Sequence, residues 1–124
     1  MGSRLQRNKT WFRTRQGNFT EAYFLLSQIY SSEGNIAEGI EKAEQAIVFS
    51  PSDVGIGFQL GFLKYLNKDY AGAVLALKKV ILIQPNYSNA KYFLGLSYSK
   101  IGKVTEATKE FVDISNLNPN NNEV

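Results

Sequence analysis

The sequence predicts an all-α fold made of antiparallel helix pairs stacked in series, and three observations carry that prediction. The prolines stand at positions 51, 85 and 119, two equal intervals of 34. Gly61 and Gly95 are separated by the same 34, as are Ala73 and Ala107, while Leu26, Leu60 and Leu94 keep one phase. Between these markers nothing reads as strand alternation bounded by hairpin turns. A period of this length marks stacked supersecondary units, none of which can bury its apolar face alone.

The units are 20–53, 54–87 and 88–121, preceded by a basic arm over 1–19 and followed by a tail at 122–124. Met1-Gly2-Ser3 has the look of an expression scar, and the chain is expected to have been cut from something longer. Residues 4–16 (RLQRNKTWFRTRQ) fall in phase with the second helix of a preceding unit, with Trp11-Phe12 opposite Gln45-Ala46, and are expected to form an N-terminal lid. The first unit turns at Gly34-Asn35 and the second at Asn67-Lys68-Asp69. In the third, the spacing predicts helices over 88–101 and 104–117 with Gly102 between them. Asp53 and Ser88 are placed to cap first helices, and each proline follows a second helix, where it stops propagation. The run AVLALKKVILIQP (73–85) is apolar enough to mimic a buried strand, but its phase with the sister copies makes it a helix.

A glycine in mid-helix costs roughly 0.5–1 kcal/mol against alanine, so Gly95 needs a reason. The small residues pair within each unit twelve positions apart: Ser27 with Gly39, Gly61 with Ala73, Gly95 with Ala107. Small side chains on facing helices allow a closer approach than the usual 8–10 Å. Leu26, Leu60, Leu94, Tyr30, Tyr98, Leu77 and Phe111 are expected to fill the space around them.

Composition narrows the chemistry. The chain has no cysteine and no histidine, which removes disulfides, thiolate sites, the commonest general base and the commonest transition-metal ligand. The net charge of +3 is misleading as a guide to partners. Arg4, Arg7, Lys9, Arg13 and Arg15 supply five positive charges, leaving nine basic against eleven acidic side chains in the rest of the sequence. The basic character belongs to the arm, so no nucleic-acid partner is expected. No stretch reaches the ~18–20 apolar residues of a membrane span, and the start lacks a signal-peptide core. A soluble fragment is expected, with its compartment unspecified.

The repeating helix–turn–helix unit, with Leu-Gly, then Tyr three on, then Ala, Phe and Pro, resembles the tetratricopeptide repeat. The third copy carries Leu94-Gly95, Tyr98, Gly102, Ala107, Phe111 and Pro119. The second keeps Leu60, Gly61, Ala73 and Pro85 but has Lys64 at the tyrosine position, with Tyr65 beside it. The first keeps Leu26, Tyr30, Gly34 and Pro51, with Gly39 at the alanine position. The resemblance implies a right-handed α-α superhelix, a solenoid whose first helices line a concave groove that binds a peptide, a partner helix or another protein.

The resemblance also places residues in that groove: Phe24 and Gln28 from the first copy; Phe58, Gln59, Phe62 and Tyr65 from the second; Asn89, Tyr92 and Phe93 from the third. One subgroup of the family clamps the C-terminal carboxylate of heat-shock chaperones with lysine, asparagine and arginine side chains. The matching positions here are Phe24, Gln28, Gln59, Asn89 and Phe93, none of them basic, so that clamp is absent. What remains is an aromatic strip, which is a binding surface, packing between neighbouring repeats, or a seat for the protein's own neighbour or tail. Each aromatic engaged by a partner would contribute roughly 1.5–3 kcal/mol.

Catalysis, metal and cofactor binding are not expected. Glu38, Glu41, Glu44, Asp69, Glu106, Glu110 and Asp113 are spaced like solvated outer faces, without two carboxylates converging in a pocket. The asparagines at 116, 118 and 120–122 lack the acids and glycine of a calcium loop. The tail has no covering helix, so Val104, Phe111, Val112 and Ile114 are expected to be partly bare, and uncapped ends invite self-association. A second expectation comes from PNYSNAKYFLGLSYSKIGKVTEA, which looks like repeats appended to bacterial membrane or envelope proteins, polysaccharide-ligase-like ones among them.

Overall fold

The computed structural model describes residues 19–117, which form six helices joined by short turns, with no strand among them. The expected lid over 4–16, Pro119 and the tail lie outside the described residues. The helices are α1 (19–32), α2 (Ile36–Phe49), α3 (Val54–Leu66), α4 (Tyr70–Ile83), α5 (Ser88–Lys100) and α6 (Val104–Leu117). They follow one another as three pairs, an all-α helical repeat. In the third pair the predicted ends differ from the observed ones only at Ile101, which caps α5. Along the sequence the chain divides into two compact units between Pro51 and Ser52.

The first unit holds α1 and α2. Ser27 is fully buried in the seam and donates its Oγ hydrogen to the Gly39 carbonyl at 2.7 Å, so the predicted small pair is joined by a hydrogen bond. Ala43 and Ala46 are fully buried along α2. The Phe49 ring stacks on Phe19 and Tyr23 with centroids 6.3 and 6.0 Å away. Leu26, expected as filler, is 36% exposed. The seam of this pair is built from serine, glycine and alanine, and it leaves that leucine outside.

The second unit holds the other two pairs. α4 packs against both α3 and α5, α5 packs against α6, and α3 also touches α5. Its core runs through Ala73, Leu77, Val80, Ala90, Leu94 and Tyr98. Leu63 and Leu77 are completely buried, each contributing roughly 1.5–3 kcal/mol. Gly61 and Gly95 have clear packing reasons, with a correction to their partner. A Cβ on Gly61 would stand 2.6 Å from Leu77 Cδ2, and one on Gly95 would stand 2.8 Å from Phe111 Cζ. The glycines make room for the large residue one turn beyond Ala73 and Ala107, not chiefly for the alanines.

The turns repeat the period. Gly34, Lys68 and Gly102 all have positive φ, at 86°, 66° and 80°. Glycine adopts this conformation freely, whereas lysine does so at a cost. Asp53 caps α3 as predicted, accepting from the Ile56 amide at 3.1 Å. Ser88 does not cap α5: it is the first helical residue, and Tyr87 takes the cap position without a side-chain bond to the helix. Tyr87 lies one full period after Asp53, so the repeat locates the cap correctly even though the residue type there suits another purpose. Among the described residues no helix is long and apolar enough to cross a membrane.

Candidate functional site

Two first helices of the second unit, α3 and α5, carry seven of the nine residues expected in the groove. α3 places Phe58, Phe62 and Tyr65 along one side, at spacings of four and three that return to the same helical face. α5 contributes Phe93, and the four rings close on each other around it. Phe93 lies 4.9 Å from Phe62, 5.5 Å from Tyr65 and 5.9 Å from Phe58 between ring centroids. Phe58 and Phe62 stack at 6.0 Å, and Tyr92 meets Phe93 edge-on at 5.2 Å. Offset and edge-to-face arrangements of this kind are worth about 0.5–1.5 kcal/mol per pair beyond area burial.

The strip has an inner and an outer part. Phe58, Tyr65 and Phe93 are partly buried and pack against the core of the unit. Tyr92 is 47% exposed, and Leu66, the last residue of α3, is 45% exposed. Phe62 is half-buried, in contact with Phe58 and Phe93. Gln59 is half-buried and Asn89 is exposed. Phe24 and Gln28 are on α1 in the first unit, half-buried and exposed respectively.

Three rings complete the network that the groove positions did not include. Tyr87 stacks on Phe58 at 5.4 Å, Tyr70 meets Tyr65 edge-on at 5.6 Å, and Phe111 approaches Tyr92 at 6.1 Å. The position of Tyr87, where Asp53 stands one period earlier, was the available signal that this cap had been given over to packing. Beside it, Gln84, Asn86, Tyr87, Ser88 and Asn89 line a shallow hollow of about 260 Å³. The aromatic strip thus runs at Tyr87 into polar amide and hydroxyl groups.

Charge is concentrated elsewhere, on the seam between α5 and α6. Lys91 and Glu110 are both buried, and the Lys91 ammonium lies 3.8 Å from Glu110 Oε1 and 3.4 Å from Asp113 Oδ2. Glu110 is not the solvated outer-face acid that its spacing implied. Its separation from Lys91 is within ionic reach but too long for a hydrogen bond, and Glu110 Oε1 has no hydrogen-bond partner. Asp113 also receives Lys109 at 3.3 Å. That hydrogen bond holds the Asp113 carboxyl below its ordinary range and raises Lys109. Burial, followed by the nearby charges of Glu110 and Glu106, pushes the Tyr98 phenol up. Glu110 and Asp113 are thus paired with lysines. Among the described residues no three His, Cys, Asp or Glu side chains are grouped to hold a metal ion.

Comparison with known proteins agrees with this architecture. A family model described as "Tetratricopeptide repeat" matches residues 20–53. Anaphase-promoting complex subunit 3 of Schizosaccharomyces pombe is 25% identical over 101 residues, which cover 82% of this chain and 15% of that protein. The chain thus spans about 15% of the length of the curated relative it matches. Among solved structures, MamA superposes with a TM-score of 0.78 at 23% identity, over 81% of this chain and 58% of its own. The first repeat domain of Spaghetti (RPAP3), bound to the HSP90 peptide SRMEEVD, gives 0.79 at 17% identity over 83% of this chain and 82% of its own.

Proposed function

We propose that this chain, whose residues 20–53 match a tetratricopeptide-repeat model, is a non-enzymatic interaction module which binds a peptide or partner helix along the aromatic strip of α3 and α5. The observation that carries this reading is the strip's two-layer build. Phe58, Tyr65 and Phe93 are braced against the core, Phe62 lies against Phe58 and Phe93, and Tyr92, against Phe93 and Phe111, is 47% exposed. Rigid, pre-positioned aromatics lose little side-chain entropy on binding, which is what makes such groups effective anchors. Phe24 and Gln28 hold the corresponding positions in the first pair.

The partner is apolar where it meets Phe62 and Tyr92, and polar where it reaches Asn89 and the hollow. A short amphipathic segment meets both demands. The chaperone peptide found on the RPAP3 domain is a poor candidate for this chain. Its acidic C-terminus calls for basic side chains, and Phe24, Gln28, Gln59, Asn89 and Phe93 offer none.

The test is a selection of binders from a displayed peptide library, followed by fluorescence anisotropy on the peptides recovered. Selected peptides should be rich in apolar residues at helical spacing. A Phe62→Glu, Tyr92→Glu double variant that keeps its helical circular dichroism should lose them by roughly a hundredfold, the loss of two aromatic contacts. The SRMEEVD peptide should not bind. Peptides held equally well by both proteins would show that the strip is packing alone.

A further inference from the structure

The outer faces of α2 and α4 carry a pattern that the groove does not use. On α4, Ala71, Leu75, Lys78 and Leu82 recur at spacings of four, three and four, which puts them on one stripe of the helix. All four are exposed, Leu75 by 66% and Leu82 by 82%, with Lys79 exposed beside them. One exposed leucine is ordinary. Two on one stripe, flanking a pair of lysines, make an amphipathic face pointing away from its own core. One period earlier, the same register of α2 holds Ala37, Glu41, Glu44 and Val48, again all exposed, with Glu38 alongside and Val48 at 73%. The two stripes have equal spacing and opposite charge.

We propose that these stripes are where a second copy of the chain docks, the α2 stripe of one copy lying antiparallel on the α4 stripe of the other. In that direction Leu82 falls against Ala37, Lys78 against Glu41, and Ala71 against Val48. Each branched end residue meets an alanine, which keeps the helix spacing even, and Leu75 lies under the methylene stem of Glu44. The parallel direction sets Ala37 against Ala71 and Val48 against Leu82, close at one end and wide at the other. Charge complementarity selects the partner: two α4 stripes repel through Lys78 and Lys79, and two α2 stripes repel through their glutamates.

Sedimentation equilibrium on the 124-residue chain tests this, with circular dichroism confirming that each variant is folded. The wild type should self-associate over roughly 10 µM to 1 mM, more weakly as salt is raised and exposed charges are screened. Lys78→Glu with Lys79→Glu makes both stripes acidic, and Glu38→Lys with Glu41→Lys turns the α2 stripe towards basic. Each double variant alone should weaken association by about tenfold or more. Mixed in equal amounts, the two should associate again, because each supplies the stripe that the other now complements. Leu82→Ser should weaken association without regard to salt. A wild type that stays monomeric across the range overturns the proposal. So does association that survives both charge reversals, which would place the contact on another surface, or a mixture that fails to recover.

Discussion

In the first unit Ser27 and Ala43 stand where the second unit has Gly61 with Leu77, and then Gly95 with Phe111. The backbone period is the same in all three, yet the division of volume across the seam is opposite. Where the first helix carries a serine, the second helix carries an alanine and a hydrogen bond from Ser27 to Gly39 joins the pair. Where the first helix gives up its Cβ, the second helix fills the space with a leucine or a phenyl ring. Each position looks permissive when read alone, but the paired positions constrain each other. A helix pair of fixed geometry preserves the sum of its facing side chains rather than either one.

The largest expected effect comes from breaking that sum in the second unit. Leu77→Ala removes a fully buried side chain opposite a glycine that cannot fill the gap, and should cost about 2–5 kcal/mol in urea denaturation. Gly61→Ser alone should cost about 1–3 kcal/mol by overpacking against Leu77. Together the two changes install the first unit's solution, so the double variant should be more stable than the sum of the singles by at least ~1 kcal/mol. Strict additivity would mean that the seams are not equivalent. Ser27→Ala, which removes the hydrogen bond to the Gly39 carbonyl, should cost about 1 kcal/mol, with the loss read as faster amide exchange in α1 and α2. The smallest effect has the opposite sign. Lys68 holds the positive φ that glycine holds at 34 and 102, and Lys68→Gly should stabilise the protein by up to ~1 kcal/mol. A thermal midpoint that falls instead would show the lysine side chain contributing more than its backbone strain removes.

The same comparison separates what is legible in the sequence from what is not. The period of 34 locates the turns within each pair and, but for Ile101, the ends of the third helix pair, because small residues and turn residues repeat with it. It cannot tell which side chain each glycine accommodates, since that depends on contacts one turn further along the facing helix. Residue type puts the cap of α5 on Ser88, although the register of Asp53 points to Tyr87. The aromatic positions of the candidate site are legible one copy at a time, so their closure around Phe93 emerges only when α3 and α5 are brought together. Tyr87, Tyr70 and Phe111 join from outside the groove positions altogether. The spacing of Glu110 on α6 resembles that of its exposed neighbours. Only its alignment with Lys91 across two helices reveals burial.

That ion pair restricts how the chain can be recombined. Lys91 corresponds in register to Tyr23 and Gly57, and Glu110 to Lys42 and Ala76, so neither other helix pair carries this combination. An exchange of whole helix pairs would carry both charges together. A crossover in the turn at Gly102 that replaced α6 with a copy of α4 would instead set an alanine where Glu110 was, and the counterpart of Lys79 in the place of Asp113. The buried ammonium would then lose its carboxylates and face a second cation, at a cost on the order of 3–5 kcal/mol. Although the repeat looks modular at every turn, α5 and α6 can be exchanged without that cost only as one piece.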